Sequence, residues 1–345
     1  MNTLLFACDC LKGTKDFAQA EILKLGKNTQ IFDTNDDELI IFSANEDYGK
    51  LKTLKKIVNI YYLLCYKVKG PGSLLNIKYL SDICLHIQKA SENSLDFKPS
   101  SFRISAAGSA SETFKTIAEK ITHFTGLTCD NQNGDMLIRF RRTPNKNFLA
   151  WEVLIRVSSR PLSYRSWRTK NFRGALNPII ANVLYDLIKP KKGDKLLNAM
   201  CGSGTILIEA GNRNKLSKIV GVDNNEEVLK ICDAHILNSK LKNIEVYNMD
   251  ARKLNFSDSE FDIALSDLPW GENIGNIKDN FKLYEDVLKE LSRVVVKNGN
   301  IGVITQDIKN LELAIKSCNL KIIEKGRVYQ GGFTPYMVVI KNLKV

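Results

Sequence analysis

The chain has 345 residues, of which 44% are hydrophobic and 26% charged, a composition typical of a globular protein with two or three domains. The 50 lysines and arginines outnumber the 38 acidic residues, and the net charge of +12 favours a polyanionic partner. No apolar run approaches the roughly 20 residues of a membrane helix, and no secretion signal leads the sequence. We expect a cytoplasmic protein with no membrane partner.

The first 158 residues indicate two α+β units without a nucleophile–base pair or a metal cluster. Residues 1–70 alternate strand, helix, strand, strand, helix, strand, which is the order of a ferredoxin-like domain. Lys69-Gly70-Pro71-Gly72-Ser73 then interrupts the pattern. Residues 71–158 continue with helices at 77–90 and 111–124, strands at 102–106, 136–140 and 151–157, and turns at 131–135 and 144–147. We expect these units to form a binding platform.

A basic linker at residues 159–176 opens a positively charged stretch. From Arg160 to Lys192 there are eight basic residues and one acidic residue, Asp186, with Tyr164, Trp167 and Phe172 between them. Guanidinium groups suit phosphates, and aromatic rings suit stacked bases. The stretch therefore predicts an RNA-binding surface, although a solvated linker with incidental aromatic residues is the alternative. The predicted contacts are Arg160, Arg165, Arg168, Lys170 and Arg173.

Residues 177–345 alternate strand and helix, which predicts a seven-stranded, mostly parallel sheet of Rossmann type with helices on both faces. Asn177 and Pro178 suit the N-cap and first position of a helix. A buried strand, a turn with Gly202 and Gly204, and a helix start then follow one another. Glycines let the backbone approach a ligand, and a helix start presents free N–H groups.

Acidic residues follow the next strands, as expected for a site that holds a nucleoside. Asp223 suits a ribose hydroxyl pair, and Asp250 suits the adenine amino edge. Leu207 replaces the third glycine of a dinucleotide fingerprint, which argues against a pyrophosphate. The pattern favours S-adenosylmethionine as the cofactor. The predicted cofactor-binding residues are Asn177, Asn198, Met200, Cys201, Gly202, Ser203, Gly204, Thr205, Asp223, Asn224, Asp250, Ala251 and Asp267.

The fourth strand end carries Asp267-Leu268-Pro269-Trp270, which we predict to be the catalytic residues. A carboxylate and a neighbouring backbone carbonyl can accept both hydrogens of an exocyclic amine, while Trp270 stacks on the base. Pro269 fixes φ and offers a carbonyl without an N–H. Guanine presents N1–H and the 2-amino group on one edge, and a carboxylate matches these two donors better than an amide does. A proline turn without function is the alternative.

The quoted motifs resemble those of the THUMP-domain tRNA guanine-N2 methyltransferases. Three segments carry the likeness: Pro161 to Arg168 (Pro-Leu-x-x-Arg-x-x-Arg), Met200 to Thr205, and Asp267 to Gly275. Phe102-Arg103-Ile104 and Asn133-Gly134-Asp135 look like parts of a THUMP domain. The resemblance implies a tRNA substrate methylated at guanosine 6 of the acceptor stem, with the THUMP domain holding the 3′ end and Arg103 contacting RNA.

Two departures from the family pattern leave other functions open. Asn198 stands where the family usually has an acidic residue, and a basic residue is missing around Gly108. The alternatives are an rRNA guanine-N2 methyltransferase, a tRNA enzyme acting at the tenth nucleotide, or an RNA-binding protein with an inactive methyltransferase domain. We expect no metal and favour a monomer.

Overall fold

The computed structural model describes residues 3–343 apart from 33, 35, 46–47, 144–149, 214 and 271–276. The chain divides into two compact units. The first contains Met1–Cys10 and Lys15–Tyr164, and the second contains Leu11–Thr14 and Arg165–Val345. Among the helices described, none combines the length and apolar character of a membrane-spanning segment.

The described residues of the first unit form a sheet of eight strands with the order β2-β3-β1-β4-β8-β7-β5-β6. Its strands are β1 (Thr3–Asp9), β2 (Gln30–Phe32), β3 (Leu39–Asn45), β4 (Asn59–Tyr66), β5 (Ser101–Ala106), β6 (Thr128–Cys129), β7 (Met136–Arg142) and β8 (Trp151–Arg156). Its helices are α1 (Lys15–Ile22), α2 (Tyr48–Leu51), α3 (Ile77–Glu92) and α4 (Glu112–Thr125). Alternating residues of the strands and the apolar faces of α3 and α4 form one core.

The sheet of this unit continues across residue 70, where the sequence predicts a domain boundary. Strand β4 precedes the Pro71–Leu75 turn and β8 ends the following segment, yet the two pair antiparallel from Tyr61↔Arg156 to Tyr66↔Trp151. Residues 3–66 and 77–156 therefore share backbone hydrogen bonds. The turn at 144–147 lies outside the described residues.

The second unit contains a sheet of seven strands among its described residues, in the order β11-β10-β9-β12-β13-β15-β14. Neighbours from β11 to β13 are parallel, while β15 runs antiparallel to both β13 and β14. The strands are β9 (Lys195–Ala199), β10 (Lys218–Asp223), β11 (Ile244–Asn248), β12 (Phe261–Asp267), β13 (Val295–Thr305), β14 (Lys321–Arg327) and β15 (Tyr336–Lys341). The helices are α5 (Pro178–Leu187), α6 (Thr205–Gly211), α7 (Glu226–Ser239), α8 (Ile277–Val294) and α9 (Ile308–Ser317).

A buried ion pair joins the linker to the helix that follows the glycine turn. Arg165 Nε donates to Glu209 Oε1 at 2.7 Å, and Arg165 Nη2 donates to Glu209 Oε2 at 3.2 Å. Asn182 on α5 also donates to Glu209 Oε2. Arg165 is 8% exposed and Glu209 2%. A bidentate pair with an added donor is the geometry in which a buried carboxylate is tolerated.

Glu209→Ala is expected to lower the free energy of unfolding of the second unit by about 3–5 kcal/mol, because it removes the carboxylate that pairs with the buried Arg165 guanidinium. Urea denaturation measures the change. The control is Glu227→Ala, which removes the exposed Glu227–Lys230 pair on α7 and should change stability little. Equal effects of the two substitutions would contradict the structural role of the Arg165–Glu209 pair.

Candidate active site

The carboxyl ends of three parallel strands bring the predicted motifs to one edge of the sheet. Strand β9 lies between β10 and β12, with Ala199 paired to Val222 on one side and to Ser266 on the other. Ser266 Oγ also donates to the Ala199 carbonyl at 2.9 Å. The glycine turn, Asp223 and Asp267 therefore follow strands that end side by side. We call this edge the carboxyl edge.

The glycine turn has a left-handed backbone at Met200, Gly202 and Gly204, with φ angles of 55°, 54° and 83°. A Cβ at Gly204 would lie 2.6 Å from Cys232 Sγ, whereas a Cβ at Gly202 would meet no atom within 4 Å. Packing thus requires glycine at 204, and Gly202 faces open space. Met200 stores backbone strain that the sequence did not predict.

Asp223 fastens the turn to the end of β10. Its Oδ2 accepts from Gly202 N at 2.9 Å, and its Oδ1 accepts from Asn225 N at 3.0 Å. A carboxylate has about four acceptor positions, so both oxygens keep capacity for ribose hydroxyls. Asn224 is exposed beside it. Asn225, which the sequence analysis missed, caps α7 through Glu227 N and Val228 N.

Asn198 is fully buried, and its amide matches its surroundings. Nδ2 donates to the Ala199 and Leu265 carbonyls at 3.2 and 3.0 Å. An ionised carboxylate has no hydrogen to offer these acceptors, so an amide is suited to this position. Within the described part of the chain, Asn198 Oδ1 has no hydrogen-bond partner. Burying an unpaired oxygen is costly, which makes this atom a candidate acceptor for a ligand ammonium group.

At the strand end after β11, the predicted adenine-binding residue Asp250 is paired with Arg252. Arg252 binds Asp250 through Nη2 and Oδ2 at 2.7 Å, and Arg252 N donates to Asp250 Oδ1 at 2.9 Å. The Arg252 hydrogen bond holds the pKa of Asp250 below its ordinary value. Ala251 packs in the core, so it offers a ligand only its backbone.

Asp267 and Trp270 form a hydrogen-bonded corner at the end of β12. Trp270 Nε1 donates to Asp267 Oδ1 at 3.1 Å. Burial raises the pKa of Asp267 to about 7, and the Trp270 hydrogen bond opposes that rise. The side chain of Leu268, also predicted as a catalytic residue, is 1% exposed and packs in the core, so Leu268 can contribute only its backbone to this corner. The remaining predicted residues from Gly271 to Gly275 lie outside the described residues.

Three residues near this corner were missed by the sequence analysis. Tyr284 on α8 donates to the Pro269 carbonyl, and its hydroxyl lies 2.8 Å from Thr305 Oγ1. Phe333 meets Trp270 edge to face, with ring centroids 5.7 Å apart. The helical spacing of Tyr284 indicates only a core residue, and Phe333 had no signal beyond the preceding Gly331-Gly332 turn.

Two of the predicted RNA contacts have side chains that are engaged within the protein. Arg165 is buried against Glu209, and Arg168 is half-buried, with Nη2 donating to Leu176 O at 2.9 Å and to Thr205 Oγ1 at 2.6 Å. Trp167, predicted to stack on a base, is 6% exposed and packs on His235. Charge and aromatic content alone do not reveal such burial.

The other predicted RNA contacts have accessible side chains. Lys170 and Arg173 are exposed, and Arg103 on β5 is partly exposed. Arg160 lies over the exposed ring of Tyr164 at 4.5 Å. The remaining lysines of the basic stretch, Lys189, Lys191 and Lys192, precede β9 and therefore lie at the opposite end of the strands from the carboxyl edge.

The residues at the carboxyl edge fit S-adenosylmethionine. Gly202 leaves open space at the turn, Asp223 provides acceptors beside it, and Asn198 Oδ1 is an unpaired buried acceptor. Ser203 and Thr205 are buried, and their contacts are internal to the protein. Asn177 uses its Oδ1 to cap α5 through Ile179 N, which confirms the predicted helix start.

Comparison with known proteins finds similarity to methyltransferases over the second half of the chain. Residues 165–335 match the family UPF0020, described as an RMKL-like methyltransferase domain. A tRNA (guanine(6)-N2)-methyltransferase of Thermus thermophilus is 26% identical over 250 residues, covering 70% of this chain and 73% of that protein. A tRNA (guanine(10)-N2)-dimethyltransferase of Methanothermobacter thermautotrophicus is 27% identical over 204 residues, covering 58% and 60%. The crystal structure of TrmN from Thermus thermophilus, 20% identical, superimposes with a TM-score of 0.77 over 99% of both chains, which shows the fold.

The raised pKa of Asp267 predicts a pH-dependent stability. Between its ordinary pKa near 3.8 and its folded pKa of about 7, the folded state binds more protons than the unfolded state, so stability falls as pH rises. Asp267→Asn cannot ionise, and its Tm relative to the wild type should increase from pH 5 to pH 8. Differential scanning fluorimetry measures this difference.

Trp270→Phe provides the complementary test, because it removes the hydrogen bond that lowers the pKa of Asp267. In this variant, the pH range over which stability falls should extend to a higher pH than it does in the wild type. A Tm difference between Asp267→Asn and wild type that stays constant from pH 5 to pH 8 would contradict the raised pKa of Asp267.

Proposed function

We propose that this protein methylates N2 of guanine 6 in the tRNA acceptor stem with S-adenosylmethionine, since residues 165–335 match the RMKL-like methyltransferase domain of UPF0020. The observation that supports it most strongly is the pairing of Ser266 with Ala199, which sets the glycine turn beside the Asp267 corner. Relatives named as tRNA guanine-N2 methyltransferases support the choice of substrate.

The proposed cofactor site uses the ends of β9, β10 and β11. Backbone at Gly202 and Gly204 holds the methionine end, Asp223 binds the ribose, and Asp250 accepts from the adenine amine. Asn198 Oδ1 accepts from the methionine ammonium group. When bound, S-adenosylmethionine would supply an electrophilic methyl group whose carbon the guanine nitrogen attacks in line with the C–S bond, so that the N–C bond forms as the C–S bond breaks and S-adenosylhomocysteine leaves.

The proposed guanine site uses the Asp267 corner. Asp267 Oδ2 accepts from the guanine edge, since Oδ1 is engaged by Trp270. The Pro269 carbonyl, held by the Tyr284 hydroxyl, accepts a second hydrogen of the amine. This pair of acceptors aims the nitrogen lone pair at the methyl group, and Trp270 stacks on the base. With a pKa of about 7, Asp267 is suited to take the proton that the methylated nitrogen releases.

The first unit is proposed to hold the tRNA. Residues 1–70 are assigned as a ferredoxin-like domain, supported by the strand order β4-β1-β3-β2. Residues 71–158 are assigned as a THUMP domain that binds the 3′ end, with Arg103 as a contact. Arg160, Lys170 and Arg173 are the proposed phosphate contacts near the linker. The proposed location is the cytoplasm, in keeping with the proposed tRNA substrate.

Methylation at the tenth nucleotide is the second candidate, supported by the Methanothermobacter relative. Two tRNA transcripts separate the candidates, one with adenosine replacing guanosine 6 and one with adenosine replacing guanosine 10. Transfer of tritiated methyl groups should be lost only with the first transcript, and nucleoside analysis should find N2-methylguanosine. Loss only with the second would favour the tenth nucleotide, and transfer to both would contradict each position.

Asp267→Ala is expected to lower the methylation rate by about 10³-fold or more while the tRNA Kd stays within about twofold, because the carboxylate orients the amine but does not bind the tRNA backbone. Single-turnover kinetics and filter binding measure the two quantities. Asp233→Ala, on the exposed side of α7, is the matched control. Full turnover by Asp267→Ala would exclude the proposed acceptor site.

Arg173→Ala is expected to reduce the slope of log Kd for tRNA against log salt concentration by about 0.7–0.9, the value of one lost phosphate contact. Lys191→Ala, at the opposite end of the strands, should leave the slope unchanged. Identical slopes for wild type and Arg173→Ala would show that Arg173 makes no phosphate contact with the tRNA.

A further inference from the structure

Arg168 holds the first residue of α6 from the side of the linker. Its Nη2 donates to Thr205 Oγ1 at 2.6 Å and to the Leu176 carbonyl at 2.9 Å. Thr205 is 4% exposed and follows Gly204 directly. The guanidinium also lies over the Trp167 ring at 5.3 Å. The Arg168 side chain therefore fixes the hydroxyl that ends the glycine turn.

A second contact holds the residue on the other side of Gly204. His235 Nδ1 lies 2.9 Å from the Ser203 carbonyl, and His235 Nε2 accepts from Lys170 N at 3.3 Å. A histidine that accepts at Nε2 and bonds a carbonyl at Nδ1 carries its proton on Nδ1. Trp167 packs edge to face on the same ring, at 5.5 Å. The segment from Trp167 to Lys170 therefore contacts Thr205 directly, through Arg168, and supports Ser203 indirectly, through His235.

The backbone conformation of the glycine turn needs support from surrounding side chains. Gly202 and Gly204 adopt positive φ angles without strain, but Met200 also has a positive φ angle, and for a residue other than glycine such a backbone persists only where surrounding contacts fix it. Arg168 itself is kept half-buried, which lowers its pKa by desolvation. A charged donor on a buried hydroxyl is among the stronger hydrogen bonds. Loss of this bond frees Thr205 and, with it, the end of the turn.

We propose that Arg168 is a positioning residue for the cofactor, which acts by fixing Thr205 and thereby the glycine turn in its binding conformation. The inference deepens the proposed function, since it rests on the cofactor site at that turn. It replaces the RNA-binding role that the basic linker suggests for this arginine. The two roles make opposite predictions, because a positioning residue changes cofactor affinity and a phosphate contact changes tRNA affinity.

The test is calorimetric titration of the full-length protein with S-adenosylhomocysteine, alongside tRNA binding. Arg168→Ala should raise the Kd for S-adenosylhomocysteine about tenfold, the effect of losing one charge-assisted hydrogen bond, while the tRNA Kd stays within about twofold. Arg213→Ala is the matched control, since it removes an arginine–carboxylate pair with Asp186 just beyond the other end of α6. It should leave the Kd for S-adenosylhomocysteine unchanged.

Substitutions at Thr205 test the same hydrogen bond by changing its acceptor, while Arg168 is retained. Thr205→Val removes the acceptor and should raise the same Kd about tenfold, whereas Thr205→Ser keeps the hydroxyl and should stay within about twofold of wild type. The double variant Arg168→Ala/Thr205→Val should bind S-adenosylhomocysteine no more weakly than either single variant, because both substitutions remove the same hydrogen bond. Ligand-free Tm values establish that each variant is folded.

The outcomes separate the inference from the proposed function. Wild-type protein that binds no S-adenosylhomocysteine would overturn the cofactor site and the inference with it. Normal wild-type binding with unchanged affinity in Arg168→Ala and Thr205→Val would overturn the inference alone. Unchanged cofactor affinity with weaker tRNA binding in Arg168→Ala would assign the arginine to RNA. Failure of Thr205→Ser to restore affinity would exclude the hydrogen bond as the cause.

Discussion

The parallel pairing of β9 with β12 is the constraint on which the whole active-site account depends. Because Ala199 pairs with Ser266, the turn after one strand and the corner after the other leave the sheet side by side. Ser266 Oγ and the Asn198 amide add side-chain bonds across the same strand ends. If another strand lay between β9 and β12, the glycine turn and the Asp267 corner would be too far apart to serve one reaction.

A second theme is that side chains behind the site fix the groups that face it. Tyr284 holds the Pro269 carbonyl, Trp270 holds Asp267, and Asp223 holds the amide of Gly202. Arg168 and Glu209 act further back, at the start and along the length of α6. Such support matters for transfer between two bound groups, because the rate depends on how closely donor and acceptor are aligned.

The sequence predicts the second unit well because strands and helices alternate and glycines and acids mark the strand ends. It places Asp223 and Asp267 at one edge, since parallel strands end together. It does not reveal burial: Arg165 and Trp167 have the composition of an RNA-binding surface but are buried, and Arg168 is half-buried. It also misses Tyr284 and Phe333, which reach the site from elements distant in sequence. The continuous pairing of β4 with β8 is a non-local contact that no pattern signals.

A crystal structure of the protein with S-adenosylhomocysteine and a tRNA acceptor stem tests the central claim most directly. The measurement is the distance from the sulfur atom to the guanine 2-amino nitrogen. We predict a separation of about 4–5 Å, which leaves room for one methyl group between the sulfur and the nitrogen. The nitrogen should donate hydrogen bonds to the Asp267 carboxylate and the Pro269 carbonyl. A cofactor bound away from the glycine turn, or a guanine bound away from the Asp267 corner, would contradict the account.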